Sequence, residues 1–249
     1  MTSEKKIIAI DAMGGDKGPS AVFGGMNQFL YQNSDADVFF RVFGDEKKLR
    51  KLVAKYPRVA RNCEVIHAPN AIRATDKVRD VIRHAQDTSM YMAIKDVREG
   101  NSAAVISAGN TGVLMSLAKL ALKTIDGISR PAITTMLPSG GGDSRVVMLD
   151  LGANIQCDAI NLFDFAILGS VYAEQIGNMP RPKLGVLNIG EEDTKGNETL
   201  RHLNQVLSAH KDVLPYEYVG FVEGTDISAG VVQVVVTDGF TGNVVLKTV

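Results

Sequence analysis

Short runs of Val, Ile and Leu, most of them closing on Gly, Asp or Asn, alternate along this chain with longer segments whose apolar residues recur at helical spacing. The runs predict strands at 5–11, 38–45, 63–69, 102–109, 131–138, 144–152, 183–190, 216–224 and 231–239. The segments between them predict helices near 19–32, 45–55, 76–99, 112–124, 158–176 and 197–210. Strands that are apolar at consecutive positions are buried on both faces. Their alternation with helices predicts an α/β chain with a mainly parallel sheet between two helical layers, a three-layer αβα arrangement. DAINLFDFAILGSVYAEQI (158–176) is apolar almost all round, which predicts deep burial or a subunit interface. No low-complexity linker divides the chain, so residues 1–249 read as a single α/β catalytic domain. Pro131, Pro138 and the Gly140–Gly142 run mark the loop where a lobe boundary would fall.

The composition narrows the class. With 249 residues, 45% hydrophobic and 22% charged, the chain is globular, and a formal net charge of -1 argues against wholesale nucleic-acid binding. No stretch approaches the roughly 20 apolar residues of a membrane span. The opening MTSEKKIIAI passes from charged residues straight into a strand-like run, unlike a signal peptide. Cys63 and Cys157 are the two cysteines, which implies no disulfide framework and fits a reducing cytoplasm.

Ligands of open α/β sheets bind outside the carboxyl ends of the strands, and here those ends carry most of the polar residues. DAMGGD gives Asp11, Gly14, Gly15 and Asp16; SAGNTG gives Ser107, Asn110 and Thr111; DLGAN gives Asp150 and Asn154. NIGEEDTKGN gives Asn188, Glu191, Glu192 and Lys195, VEGTD gives Glu223 and Asp226, and DGFTGN gives Asp238, Thr241 and Asn243. Singly, each is explained by a helix cap or a tight turn; together they describe a site. Two of these turns share a layout: a hydroxyl (Ser107, Thr237), a glycine two residues on (Gly109, Gly239), then Thr111-Gly112 or Thr241-Gly242. Glycine lets successive N–H groups converge, and a following helix adds the positive end of its dipole, so both turns suit an anion. Set in one sheet, they suggest a phosphate or similar oxyanion between them, with Ser107, Thr111, Thr237 and Thr241 as further donors. Neither is a phosphate loop of the GxxxxGK[ST] kind, and Gly140-Gly141-Gly142-Asp143 lacks the third glycine of a dinucleotide fingerprint.

Blander readings stand beside these. Lys195 serves equally as a solvated first-turn lysine, Asp11 as a loop cap and Asn154 as an Asx turn. Neither cysteine has a motif histidine beside it, and His67, His84, His202 and His210 are scattered. Asp11 with Asp16 is a weak case for magnesium, so no metal and no cofactor is expected. The stretch 45–61 holds seven Lys or Arg against two acids, and reads as a docking face for an acidic partner or as a solvated helix face. Met90, Met92, Met115 and Met136 suit an acyl channel or core filling.

DAMGGD, SAGNTG, LPSGGG, LDLGAN, NIGEE with KGN, VEGTDI and DGFTGNVVLKT, in this order and spacing over essentially the whole chain, resemble the bacterial phosphate acyltransferases of the PlsX type. The resemblance implies transfer of a fatty acyl group from an acyl-carrier-protein thioester to inorganic phosphate, giving an acyl phosphate for phospholipid synthesis. It implies a homodimer with a fold like the isocitrate and isopropylmalate dehydrogenases, cytoplasmic and peripherally membrane-associated. A downstream membrane glycerol-3-phosphate acyltransferase is the implied partner. Family members continue past DGFTGNVVLKT, so the chain is expected to lack a C-terminal portion. Ala85 and Gln86 stand where the family carries cations, and Gln156 where an acid is common.

Attack of phosphate on a thioester needs a bound, aligned nucleophile and donors for the developing oxyanion more than it needs a base. Ser107, Gly109, Asn110, Thr111 and Gly112, with Gly239, Thr241 and Gly242, are the expected phosphate cradle. Asn154 or Asn243 is expected to polarise the thioester carbonyl, and Lys195 to offset phosphate charge. Asp11 and Asp238 would orient these donors, supported by Asp16 and Glu191. The competing readings are an NAD(P)-dependent decarboxylating dehydrogenase on a similar scaffold and a non-catalytic module that binds acyl-carrier protein.

Overall fold

A computed structural model of the chain describes residues 5–140 and 144–248. Gly141 and Gly142 of the predicted loop lie outside them. The chain forms two compact units, Met1–Lys123 and Thr124–Val249, which divide ahead of the Pro131–Gly142 loop.

In the first unit the order is β1 (Lys6–Asp11), α1 (Gly18–Gln32), β2 (Val38–Gly44), α2 (Glu46–Val53), α3 (Pro57–Ala60), β3 (Cys63–His67), α4 (Val78–Val81), a 3-10 turn (Ala85–Asp87), α5 (Ser89–Arg98), β4 (Ala104–Ser107) and α6 (Thr111–Leu122). Its four strands are all parallel, in the order β3-β2-β1-β4. Successive residues of β1 point to opposite faces. Ile10 joins Phe23, Met26, Phe40 and Leu49 in one cluster, while Ala9 joins Phe43 and Ala93 in another. That two-sided burial is why β1 reads as an unbroken apolar run.

The segment predicted as one helix over 76–99 is three pieces. Thr88 breaks it: its hydroxyl accepts from the Tyr91 N–H at 3.3 Å and caps α5. On either side of Thr88, the backbone turns outward to Asn70, with Asn70 N–H donating to Asp87 O at 3.2 Å and Ser89 N–H to Asn70 O at 3.0 Å. Those carbonyls and amides are therefore lost to a continuous helix. The basic stretch 45–61 lies on α2 and α3, where Arg50 pairs with Glu46 and Lys48 with Asp45.

The second unit runs β5 (Thr134–Pro138), β6 (Arg145–Leu149), α7 (Ala159–Gln175), β7 (Lys183–Leu187), α8 (Glu198–Ala209), β8 (Glu217–Val222), α9 (Gly224–Ala229), β9 (Val234–Val236) and α10 (Gly239–Thr248). The sheet order is β5-β6-β9-β7-β8, parallel except for the antiparallel pair β5–β6. All nine predicted strands form, in two mainly parallel sheets. The short helices α3 and α9 and the terminal α10 were not predicted, being short or running straight on from a turn. α7 buries Phe165, Ala166 and Gly169 against the sheet. A Cβ on Gly169 would come 2.7 Å from Leu149 and 2.8 Å from Val234, so the helix approaches β6 and β9 more closely than any larger residue allows. Ile160 of α7 and Ile176 just after it remain 69% and 62% exposed, so the apolar run is only partly explained by this core. Among the described residues no helix is long and apolar enough to cross a membrane.

One ion pair fixes α5, and with it the residues α5 carries to the site. Asp96 is 5% exposed and accepts from Arg41 of β2 at 3.0 Å and from Ser102 Oγ at 2.5 Å. Arg41 also reaches Glu64 at 3.0 Å. Removing the buried partner leaves the half-buried guanidinium undercompensated. Asp96→Ala is expected to lower unfolding free energy by about 2–3 kcal/mol, read as a lower urea midpoint. An unchanged midpoint would contradict the clamp.

Candidate active site

In the first unit, β1 ends on Asp11, which is 2% exposed. A carboxylate taken out of water needs donors, and the chain supplies them from three segments. Asp11 Oδ1 accepts from Ser89 Oγ at 2.6 Å and from Met13 N–H at 3.2 Å, and Oδ2 accepts from Ser107 Oγ at 2.7 Å. Ser107 Oγ in turn accepts from Gly109 N–H at 3.1 Å. This relay ties the end of β1 to the start of α5 and the turn after β4. Gly109 is a glycine because the loops touch there. A Cβ on it would sit 2.6 Å from Met90 Cε, and one on Gly14 would sit 2.7 Å from Gly109 N. Met90, fully buried, fills core rather than lining a channel.

Asn110 then starts α6. Its Oδ1 accepts from Val113 N–H at 3.2 Å, and its Nδ2 donates to Ala74 O at 3.0 Å and Asp76 O at 3.3 Å. With the side chain capping the third N–H, the Thr111 and Gly112 N–H groups remain without intrahelical carbonyls at the positive end of α6. Thr111 and Gly112 line a cleft of about 600 Å³ together with Gly15, Asp16, Arg73 and Asn110. Arg73 brings a cation to this cleft and Asp16 an opposing anion; the Arg73 backbone N–H is held by Asp76 Oδ2 at 2.8 Å.

In the second unit the equivalent strand-end carboxylate is Asp150, 0% exposed. It gathers the N–H groups of Ile133, Gly152, Ala153 and Asn154 at 2.7–3.2 Å, and Asn154 Nδ2 at 2.9 Å. Asn154 Nδ2 also donates to Pro131 O at 2.8 Å, and Asn154 O accepts from Gly239 N–H at 2.8 Å. A Cβ on Gly239 would lie 2.7 Å from Asn154 O, and one on Gly242 would overlap the Asp150 carbonyl oxygen. The first turn of α10 is therefore laid backbone to backbone on the Asp150–Asn154 loop. Asp238 caps it, its Oδ1 accepting from Thr241 N–H at 2.8 Å and its Oδ2 from Thr241 Oγ1 at 3.2 Å. Asn243 Nδ2 donates to Leu151 O at 3.4 Å, a long bond.

The two look-alike turns differ once folded. They sit on different sheets, since β4 edges the first and β9 is central in the second. The expectation that both flank one sheet's ligand is corrected by that strand order. Aligned on Gly109 and Gly239, their helices also begin at different residues, α6 at Thr111 and α10 at Gly239 itself. As a result the N–H groups of Gly239, Thr241 and Gly242 are taken by Asn154 O, Asp238 Oδ1 and Asp238 O. Of the two turns, α6 leaves adjacent N–H groups facing a cleft.

Lys195 lies on the exposed loop between β7 and α8, its N–H donating to Glu192 O at 2.9 Å, and Glu191 is exposed on the same loop. Asn197 caps α8 through Leu200 N–H at 2.9 Å. Burial pushes the Cys157 thiol up to about 11, so it stays protonated and unreactive near neutrality. Two residues of interest escaped the sequence reading of the site. Ser89 follows the Thr88 break, and Arg73 sits in the NAIRATDK loop after β3. Arg73 is brought in by a loop with no periodic signal and Ser89 by the break at Thr88 that starts α5, and only the folded chain shows what they face.

Comparison with known proteins follows the same lines. Residues 6–249 match the family described as fatty acid synthesis protein. The chain is 44% identical over 241 residues to a phosphate acyltransferase of Maricaulis maris, covering 97% of this chain and 68% of that protein. It is 44% identical over 246 residues to a phosphate acyltransferase of Rhodospirillum rubrum, covering 99% and 69%. The chain thus spans about two thirds of the length of these relatives. Among solved structures, a phosphotransacetylase from Streptococcus pyogenes superimposes with a TM-score of 0.72 at 16% identity, over 98% of this chain and 80% of that one, a likeness of fold.

The Asp150 frame makes a direct prediction. An amide in place of the carboxylate loses the charge and turns an N–H towards donors. Asp150→Asn is expected to lower stability by about 2–3 kcal/mol and to speed hydrogen exchange at Gly152, Ala153 and Asn154 selectively. Uniform exchange changes without local loss of protection would contradict it.

Proposed function

The chain belongs to the phosphate acyltransferase family and is an acyltransferase, and from that premise we propose that it moves a fatty acyl group from an acyl-carrier-protein thioester to inorganic phosphate. The observation that carries the phosphate half of this reading is the start of α6. Thr111 and Gly112, whose N–H groups are left over by the Asn110 cap, line a cleft with Arg73. A helix N-terminus with a nearby guanidinium suits a dianion.

In this reading a phosphate oxygen attacks the thioester carbonyl carbon, the carbonyl oxygen gathers negative charge, and the C–S bond breaks to release a thiolate. The products are an acyl phosphate and the free carrier thiol. Thr111, Gly112 and Arg73 hold the nucleophile; Asn110, Ser107 and Gly109 shape that loop, and Asp11 fixes Ser107. Lys195, exposed on its loop, supplies a mobile cation for the developing charge. Asn243, whose amide is held by one long bond, is better placed than Asn154 to polarise the carbonyl, because Asn154 Nδ2 already serves Asp150 and Pro131. Asp238 with Thr241, Gly239 and Gly242 sets the start of α10, which carries Asn243. Glu191 and Asp16 tune the local charge. Neither a metal nor an organic cofactor enters this scheme.

The homodimer, the dehydrogenase-like αβα architecture, the cytoplasmic location with peripheral membrane contact and hand-over to a membrane glycerol-3-phosphate acyltransferase belong to the same proposal, as do the acyl phosphate product's use in phospholipid synthesis. The relatives' shared name favours acyl transfer over the dehydrogenase and binding-module alternatives.

The assay mixes protein, long-chain acyl-carrier protein and phosphate, and follows free thiol. Phosphate-dependent release is expected, and its absence with the full-length protein would overturn the reading. Lys195 is solvent-exposed, so Lys195→Ala should leave the melting temperature unchanged while lowering kcat on the order of 10²-fold. A near-wild-type rate would remove Lys195 from the mechanism.

A further inference from the structure

Buried polar side chains almost always find a partner, and one that does not needs a reason. Asn188, the residue after β7, is 9% exposed, and both its Nδ2 and its Oδ1 are buried with no hydrogen-bond partner. Its backbone is well anchored, with Asn188 N–H donating to Val222 O at 2.9 Å. Its amide is covered by Gly196: a Cβ there would overlap Asn188 Oδ1 and come 3.1 Å from Nδ2, so only glycine fits over it. Gly196 has φ 77°, and its carbonyl is gripped by Arg201 of α8. Lys195 is the next residue, and its stem runs close to Gly190, where a Cβ would lie 3.2 Å from Lys195 Cγ. The loop from Asn188 to Asn197 is thus built tightly around an amide that it does not satisfy.

The setting suggests what does. β7 lies beside β9 in the sheet, so the loop carrying Asn188 neighbours the turn that leads into α10. Apolar side chains stand out at these strand ends, Ile189 82%, Phe240 65% and Ile155 69% exposed. An amide offering one free donor face and one free acceptor is complementary to a second amide, which presents a carbonyl and an N–H together.

Building on the acyl-transfer reading, we propose that Asn188 is a substrate-binding residue whose side-chain amide pairs with an amide in the thioester arm of the acyl donor, beside Lys195. Entry of the arm requires the loop at Gly196, which lies over the amide, to draw back, and the exposed Ile189 and Phe240 then flank its apolar portion. An unpaired buried amide in the free protein is then the complement kept for the donor, and it accounts for Asn where Leu would pack at lower cost. Carrier-borne and free thioester arms share this amide, so the full carrier protein and a small mimic serve as separate probes.

The test uses Asn188→Leu, close in volume and without polar atoms, and three acyl donors of one chain length: the carrier-protein thioester, the N-acetylcysteamine thioester, which keeps one amide, and the ethanethiol thioester, which keeps none. In the wild type the N-acetylcysteamine donor should show the lower KM of the two small donors. Asn188→Leu should raise KM for that donor by about five- to tenfold, the loss of one or two hydrogen bonds, and leave the ethanethiol donor unchanged. The same rise with the carrier thioester shows that the carrier's own arm uses the site; a rise with the small donor alone would overturn the assignment to the carrier arm. The variant should also unfold at higher temperature, since an unsatisfied buried group is removed. Equal KM changes for both small donors, or none, would overturn the proposal while phosphate-dependent thiol release in the wild type still upheld acyl transfer. Should Asn188→Leu fail to fold, Asn188→Ser, tested alongside, carries the test: loss of discrimination between the two small donors upholds the proposal, and its retention overturns it.

Discussion

A carboxylate sealed at the end of a strand cannot stand alone, and two such groups organise this chain. Asp11 and Asp150, 2% and 0% exposed, each draw N–H or O–H donors from more than one segment of the chain. Asp11 binds Ser89 and Ser107, 78 and 96 residues away. Asp150 closes five donors around itself and turns the Gly152–Asn154 loop back on the strand. Burying either charge without these partners would cost several kcal/mol, so the loops have little freedom to sit elsewhere. The glycines follow from that confinement: Gly14, Gly109, Gly239 and Gly242 are where backbone meets backbone or a buried side chain, and a Cβ would intrude.

What the loops present is then set by which N–H groups the frame leaves over. Around Asp150 and Asp238 nearly all are consumed internally, and that turn is a rigid mount for α10. Around Asp11 the frame consumes Gly109 N–H and stops. The Asn110 side chain takes Val113 N–H, and Thr111 and Gly112 are left facing a cleft with Arg73 on its wall. The proposed anion site therefore rests on incomplete satisfaction, in the first unit, at the start of one helix. Asn188 in the second unit shows the same principle in a side chain, an amide enclosed but unpaired.

The strands were readable because both faces of each sheet are covered, so Val and Ile run consecutively in β1, β6 and β9 and the 2-residue alternation of half-exposed strands is absent. The break at Thr88 was not readable, because it depends on hydrogen bonds to Asn70, a residue whose position is decided by the loop after β3. The repeated Ser/Thr-x-Gly-x-Thr-Gly layout pointed to two equivalent anion nests. Sequence could place the residues at strand ends, but not the two-residue difference in helix start that makes one turn a mount and leaves the other as the proposed cradle. Arg73, on a loop, and Ser89, at the start of α5, escaped for a similar reason, since each signals its role only through what the fold sets opposite it.

The most direct test is the one that asks whether the leftover amides at α6 hold the anion. In ¹⁵N-labelled protein titrated with inorganic phosphate, the Thr111 and Gly112 amide resonances should move together along one saturable curve, while Gly239, Thr241 and Gly242, already bonded, stay in place. If the α6 amides remained still through concentrations that support acyl transfer, or if the α10 amides moved instead, the account of the site given by the two carboxylate frames would be contradicted.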